Sequence, residues 1–285
     1  MVATVGAGTI GASVAEALAT RGYRVLLVDR SDSQLGRALR GIRSGLRSEK
    51  LLGEPPLELD AEAVLRRIEP TQDLKQLART SVVIENITEN LATKKALYRK
   101  MAEVVEPHTL FCANTSTISI TEIASWTDHP ERTIGMHLMN PVPMMPMVEL
   151  IRGHLTSRST VDIARTLVAS LGKQSIMIND SPGFATNRVM MLAINEAIFL
   201  LQEGVAETPQ EVDRLIKTCF GYKMGPLETA DLIGLDTVLH SLEQLYRSFQ
   251  DDKYRPCPLL RTRVAAGTLG RKTSQGFYPY HRSGA

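Results

Sequence analysis

"VATVGAGTIGASVAEALATRGYRVLLVD", residues 2–29, is the stretch from which the fold can be read. Val2 to Val5 is a short apolar run, and Gly6, Gly8 and Gly11 follow it as G-x-G-x-x-G. Thr9 and Ile10 begin a helical pattern that continues through Val14, Ala15, Leu18 and Ala19 and ends at Gly22. "YRVLLVD" is a second buried strand that finishes at Asp29, 18 residues after Gly11. Each part has a physical task. Gly6 permits a tight turn, Gly8 lets backbone approach a pyrophosphate, and Gly11 lets helix and strand pack closely. The helix then turns its positive dipole end toward phosphate. An acid at the end of the second strand accepts both ribose hydroxyls of an adenosine. Alone, G-x-G-x-x-G marks only a glycine-rich turn; set between strand and helix, with the downstream acid, it reads as a dinucleotide site. Asp29 favours NAD over NADP by repelling a 2′-phosphate, a preference that Arg30 beside it weakens.

The strand–helix alternation continues outward from this unit. "SVVIENI" (81–87), "TLFCANTS" (109–116), "RTIGMHLM" (132–139) and "SIMIND" (175–180) read as strands, and 94–105 and 161–171 as helices. Repeats of this kind build a mostly parallel sheet with helices on both faces. Ligands of such sheets lie beyond the carboxyl ends of the strands. The polar clusters "ENITEN", "NTST" and "HLMNP" all fall at strand ends, so they carry the candidate chemistry. After "NDSPGFATNR" (179–188) the pattern becomes helical, with helices expected over 188–204, 208–221, about 226–249 and 258–267. Thr208, Pro209 and Glu211 have the spacing of a helix cap, a first-turn proline and a capping-box acid. The expected fold is α/β: a Rossmann-type domain over 1–179, then an all-helical domain over 180–285 that takes part in substrate binding and dimerisation.

Composition bounds the classes of function. The chain has 285 residues, 43% of them hydrophobic, and a formal charge of +2. That suits a globular protein and gives no electrostatic reason to expect nucleic acid or membrane as partner. Cys112, Cys219 and Cys257 are odd in number and widely spaced, which suggests a reducing compartment and no structural zinc. No run approaches the roughly 18–20 apolar residues of a bilayer span. With no basic leader before the glycine motif, the expected location is cytoplasmic.

Five further stretches, "ENITENLATK", "CANTSTISITEI", "GMHLMNPVPMM", "NDSPGFATNRV" and "GYKMGPLETADLIGLD", make the chain resemble the short-chain L-3-hydroxyacyl-CoA dehydrogenase family in its 3-hydroxybutyryl-CoA dehydrogenase form. The resemblance extends from "VGAGTIG" to "GRKTSQGFYPY". It implies an NAD-dependent enzyme that moves a hydride between NAD and the C3 hydroxyl of a 3-hydroxyacyl thioester; the homodimer is expected instead from the helical domain's apolar content, which exceeds what one small domain need bury. It also implies site roles: His137 as the base, Glu149 as its partner carboxylate, Ser116 bonding the reacting oxygen, and Asn187 reaching in from the helical domain. Glu89, Lys94, Asn114, Ser116 and Asn140 match nicotinamide-side cofactor contacts, and Lys272 a C-terminal lysine near the cofactor. A neutral imidazole suits proton transfer in both directions near neutral pH. Bland readings stand beside these: a core histidine, a strand-end serine, a helix-capping asparagine, a solvated lysine. "NPVP" after His137 and an acid twelve residues on favour the catalytic one.

Three departures from the family pattern bear on the substrate. Gly45 and Leu51–Leu52 stand where polar contacts to CoA phosphates are expected, and Arg37, Arg40, Arg43, Arg47 and Lys50 form a stripe at helical spacing. That stripe suits CoA phosphates, the acidic face of an acyl carrier protein, or plain solvent; CoA is preferred. Pro146 stands where many relatives have lysine, and Asn86 where alanine is usual. A non-enzymatic relative, as lambda-crystallin is of this family, is disfavoured because His137, Glu149, Ser116 and Asn187 are all present.

Overall fold

The computed structural model describes residues 1–52 and 60–280, without the side chains of 47–52, so Arg47, Lys50 and Leu51–Leu52 lie outside the described side chains. The strands are β1 Val2–Val5, β2 Val25–Val28, β3 Ile68–Thr71, β4 Val82–Glu85, β5 Leu110–Ala113, β6 Thr133–His137, β7 Met147–Arg152 and β8 Gln174–Asn179. They form one sheet in the order β3-β2-β1-β4-β5-β6-β7-β8. The first six are parallel, as the alternation requires. β7 runs antiparallel to β6, and β8 follows β7 in parallel, so the last two strands are reversed.

Two strands were not anticipated. β3 reads "IEPT", whose Pro70 lacks an N–H and whose Glu69 breaks the apolar run; both are tolerated at the sheet edge where β3 lies. β7 hides behind the proline-rich segment that precedes it.

The helices of this unit are α1 Thr9–Thr20, α2 Asp32–Leu52, α3 Ala61–Leu65, α4 Leu91–Ala102, α5 Ile120–Ala124 and α6 Arg158–Ser170. α1 lays Val14, Ala15, Leu18 and Ala19 against Val25, Leu27 and Ile84 of the sheet. Each large aliphatic side chain so buried contributes about 1.5–3 kcal/mol. α4 begins three residues earlier than its apolar pattern suggests, because Asn90 caps it by accepting from Thr93 N at 2.9 Å.

The chain divides into a unit Met1–Asp180 and a unit Ser181–Ala285. The second is helical: α7 Thr186–Gln202, α8 Pro209–Phe220, α9 Pro226–Ile233, α10 Leu235–Phe249 and α11 Pro258–Ala265. Its core joins Ile194, Ile198, Leu227, Val238, Leu242 and Tyr254. Thr208 and Glu211 form the reciprocal capping box at the start of α8. The single helix expected over 226–249 is two, because Gly234 takes φ +101°, a conformation that breaks the helical run. No helix among the described residues is long and apolar enough to cross a membrane.

Candidate active site

The site is assembled where β5, β6 and β7 lie side by side. His137 is the last residue of β6, and the antiparallel register sets it directly opposite Glu149 of β7. Opposed residues of such a pair project to the same face, Cβ atoms about 5 Å apart. His137 Nδ1 accordingly lies 2.7 Å from Glu149 Oε2, with both side chains buried. Ser116, three residues past the end of β5, places its Oγ 3.0 Å from His137 Nε2. The carboxylate can only accept, so Nδ1 carries the proton, and in the neutral ring Nε2 is left as an acceptor for an O–H.

The segment bearing Ser116 is held by Glu89. Its Oε1 accepts from Thr115 Oγ1 at 2.5 Å, Ser116 N at 2.9 Å, Thr117 N at 3.0 Å and Thr117 Oγ1 at 3.1 Å. Farther along, Ser119 Oγ donates to Asp180 Oδ2 at 2.6 Å, and Thr121 N to the same oxygen at 2.8 Å. Asn114 fastens neighbouring strand ends: its Nδ2 donates to Asn86 Oδ1 at 2.9 Å, and its Oδ1 accepts from Leu138 N at 3.2 Å. Asn86 is thus a bridging residue between the ends of β4 and β5. Asn140 is exposed on the segment after His137.

Lys94 is placed differently from the expectation. It is not solvated: it is fully buried, and its ammonium donates to Glu85 Oε1 and Oε2 at 2.8 Å and to Asn114 O at 3.0 Å. Glu89 Oε2 is 3.8 Å away. Its three protons are committed to the protein. Burial holds the Glu85 carboxyl above its ordinary value, against the opposing pull of Lys94. Lys94, Tyr98 and Met101 form the buried face of α4, a spacing that carried the signal of this burial in sequence.

The glycine turn fits a dinucleotide. Gly6 takes φ +97°, and a Cβ there would stand 2.9 Å from the Asn86 carbonyl. A Cβ on Gly11 would stand 1.8 Å from Gly6 O, whereas one on Gly8 meets nothing within 4 Å. The motif therefore closes the turn at Gly6 and Gly11 and leaves it open at Gly8. α1 starts at Thr9 and Ile10 with no side-chain cap and no acid in its first turn, the condition for receiving phosphate. Asp29 accepts from Ala7 N at 2.8 Å on one oxygen and from Ser31 N at 2.9 Å on the other. Each oxygen keeps a second lone pair for a hydroxyl. Arg30 is exposed beside it.

The C-terminal unit holds the other two expected residues. Asn187 is half-buried in the first turn of α7. Lys272 is ion-paired with Asp236, 2.6 Å from Oδ2. Lys173, which sequence reasoning passed over, donates to main-chain carbonyls of the segment between His137 and Glu149.

Comparison with known proteins agrees with this geometry. Residues 1–181 match the model of the 3-hydroxyacyl-CoA dehydrogenase NAD binding domain, and residues 183–280 that of the 3-hydroxyacyl-CoA dehydrogenase C-terminal domain. The chain is 42% identical over 275 residues to a probable 3-hydroxybutyryl-CoA dehydrogenase of Bacillus subtilis, covering 96% of this chain and 95% of that one. It is 34% identical to the mitochondrial hydroxyacyl-coenzyme A dehydrogenase of Sus scrofa, across 98% of this chain and 90% of that one. The crystal structure of (S)-3-hydroxybutyryl-CoA dehydrogenase from Ralstonia eutropha superposes with a TM-score of 0.93 at 42% identity, covering 99% of each chain. With both family domains matched in order, the chain belongs to the 3-hydroxyacyl-CoA dehydrogenase family, and its N-terminal unit is that family's NAD-binding domain.

Proposed function

We propose that the protein oxidises the C3 hydroxyl of a short 3-hydroxyacyl-CoA, and reduces the corresponding ketone, with NAD as the redox partner. The observation that carries this reading is the Ser116–His137–Glu149 chain of hydrogen bonds in the unit that also holds the Gly6–Gly11 turn and Asp29. Bound at that turn, NAD+ supplies the acceptor for the C3 hydride. His137 Nε2 takes the hydroxyl proton as the C–O bond becomes a carbonyl, and returns it in the reverse direction. Glu149 keeps Nδ1 protonated and stabilises the imidazolium that forms. Ser116 Oγ, already in reach of Nε2, donates to the substrate oxygen, and the family resemblance alone supports Asn187 as a further substrate contact. Glu89 keeps the Ser116 segment in place, so its part toward the cofactor includes fixing the wall that faces it. Asn114, Asn140 and Lys272 complete the proposed cofactor surroundings.

CoA remains the preferred carrier. Of the described basic stripe on α2, Arg37 and Arg40 are exposed, while Arg43 is engaged by Glu62 at 3.0 and 3.2 Å. Arg37, held by Gln34 through Nε, and Arg40 suit phosphate groups, and among the described side chains they are a thin patch for docking an acidic carrier protein. Exposed Val189, Leu215, Phe220, Tyr222 and Leu232 on the helical unit support a homodimer formed through it. Three unpaired cysteines, Cys219 exposed, support a reducing, cytoplasmic setting.

The test is NADH formation from L-3-hydroxybutyryl-CoA by the parent and by His137→Gln. The variant keeps NADH binding and loses turnover by about 10²–10⁴-fold. Parental turnover in the variant would remove His137 as the base. Turnover of a hydroxyacyl carrier protein without turnover of the CoA thioester would remove CoA.

A further inference from the structure

The segment joining His137 to Glu149 has an unusual main-chain problem. It reads "LMNPVPMMPM" (138–147), and Pro141, Pro143 and Pro146 have no N–H. Among its remaining donors, Met144 N and Met145 N are both spent on Pro141 O, at 3.2 Å. Val142 is buried, so its carbonyl needs a donor from elsewhere, and the carbonyls of the exposed Pro143, Met145 and Pro146 also meet protein donors.

Residues 173 and 174 supply them. Gln174 N donates to Pro146 O at 2.8 Å. Lys173 Nζ lies 2.5 Å from Val142 O, 2.7 Å from Met145 O and 3.4 Å from Pro143 O. Its three protons therefore meet three carbonyls of one turn. The side chain is buried, and no carboxylate among the described residues forms an ion pair with it. A lysine placed this way serves the main chain and not a counter-ion. Burial, and secondarily Arg21, pull its ammonium below the ordinary lysine range, so the carbonyl dipoles have a desolvation cost to offset. The turn it holds leaves directly from His137, carries Asn140, and presents Met144, 76% exposed, beside Met145. It is also where Pro146 stands in place of an expected lysine, and Lys173, just before β8, is a cation that reaches this turn.

We propose that Lys173 is a positioning residue of the dehydrogenase: through the carbonyls of Val142, Pro143 and Met145 it fixes the turn that carries Asn140 and the exposed methionines against the His137 site. This rests on the catalytic reading of His137 given above.

The experiment compares the full chain with Lys173→Met and Lys173→Arg. Steady-state kinetics are measured with acetoacetyl-CoA and NADH, well below each variant's Tm. Hydrogen exchange is followed on peptides covering 138–147, with peptides over β1 and β5 as internal controls. In K173M, kcat/KM falls about tenfold or more and the 138–147 peptides lose protection while the controls keep theirs. K173R, which restores a cationic donor, recovers most of both. K173M with parental kinetics and parental exchange at 138–147 overturns the proposal, as does a loss of protection spread equally over the controls. If K173M does not accumulate folded, K173Q is read by the same two criteria. His137→Gln, run in parallel, separates the two claims. An active H137Q removes the catalytic reading but leaves the exchange result to judge the clamp, and parental behaviour of K173M removes the clamp alone.

Discussion

Replacing Glu149 with glutamine tests the core of the chemistry while changing almost nothing in volume. The parent geometry is a 2.7 Å contact between His137 Nδ1 and Glu149 Oε2, with both residues buried. During oxidation the imidazole becomes an imidazolium, and the bond to Glu149 becomes charge-assisted at that moment. Hydrogen bonds to charged groups contribute about 1.5–3 kcal/mol. At 1.36 kcal/mol per decade, losing the charge on one partner lowers kcat by about 10- to 150-fold. The amide adds a second effect. It can donate its own N–H to Nδ1, which moves the ring proton to Nε2 and leaves no acceptor for the substrate hydroxyl. Molecules held in that tautomer are inactive, so the measured loss exceeds the charge figure alone. The assay is NADH formation and consumption with 3-hydroxybutyryl-CoA and acetoacetyl-CoA, with NADH affinity measured separately by fluorescence. kcat falls in both directions and NADH affinity holds. A kcat for E149Q within about threefold of the parent in both directions would refute the reasoning.

Lys94→Met leaves Glu85 buried without its partner, which costs about 3–5 kcal/mol. At this chain length that lowers Tm by roughly 10 °C in calorimetry, and an unchanged Tm contradicts the buried pair. Asp29→Ala removes the acceptor for Ala7 N and Ser31 N along with the proposed ribose acceptor, raising the Kd of NADH about tenfold while NADPH is less affected. Equal Kd values for NADH in parent and variant exclude that role. The Glu211 carboxyl is held below its ordinary 4.5 by backbone N–H groups of Thr208 and then Glu207. A depressed acid stabilises the fold above its unfolded value and stops doing so as pH falls through the folded one. Glu211→Gln therefore flattens the acid-side fall of Tm with pH, and parallel curves for parent and variant would count against the capping box as the source.

Much of the first six strands was legible because a parallel sheet buries both faces, so "VATV", "VLLV" and "SVVIE" are continuous apolar runs bounded by turns. The capping box at Thr208 was legible because it is a local device, complete within four residues. The burial of Lys94 went unread because it stands beside Lys95 as a basic pair; the i, i+4, i+7 spacing to Tyr98 and Met101 held the answer. The break at Gly234 escaped because a glycine is compatible with a long helix and only the backbone angle decides. Lys173 was invisible for a different reason: its partners are carbonyl groups, which every residue has, so no side-chain pattern announces it.

The reversal of β7 explains why the catalytic pair is twelve residues apart in sequence. A parallel strand after β6 would need a crossover of a dozen residues or more, yet only residues 138–146 intervene. That count already requires a hairpin-like return, and it was the available signal. Once the strand turns back, Gly135, Met136 and His137 face Ile151, Leu150 and Glu149 in fixed register. Slipping that register by one residue would send Glu149 to the opposite face of the sheet and leave His137 without its carboxylate. The register is secured beyond the pair itself. A Cβ at Gly135 would stand 2.8 Å from the side chains of Ile120 and Ile151, so the strands close only with glycine there. At the other end, Lys173 and Gln174 hold the carbonyls of the connecting turn. The His–carboxylate geometry is therefore a property of the whole β6–β7 return, fixed by close packing at one end and by main-chain hydrogen bonds at the other, and the two titratable residues occupy positions that this return had already determined.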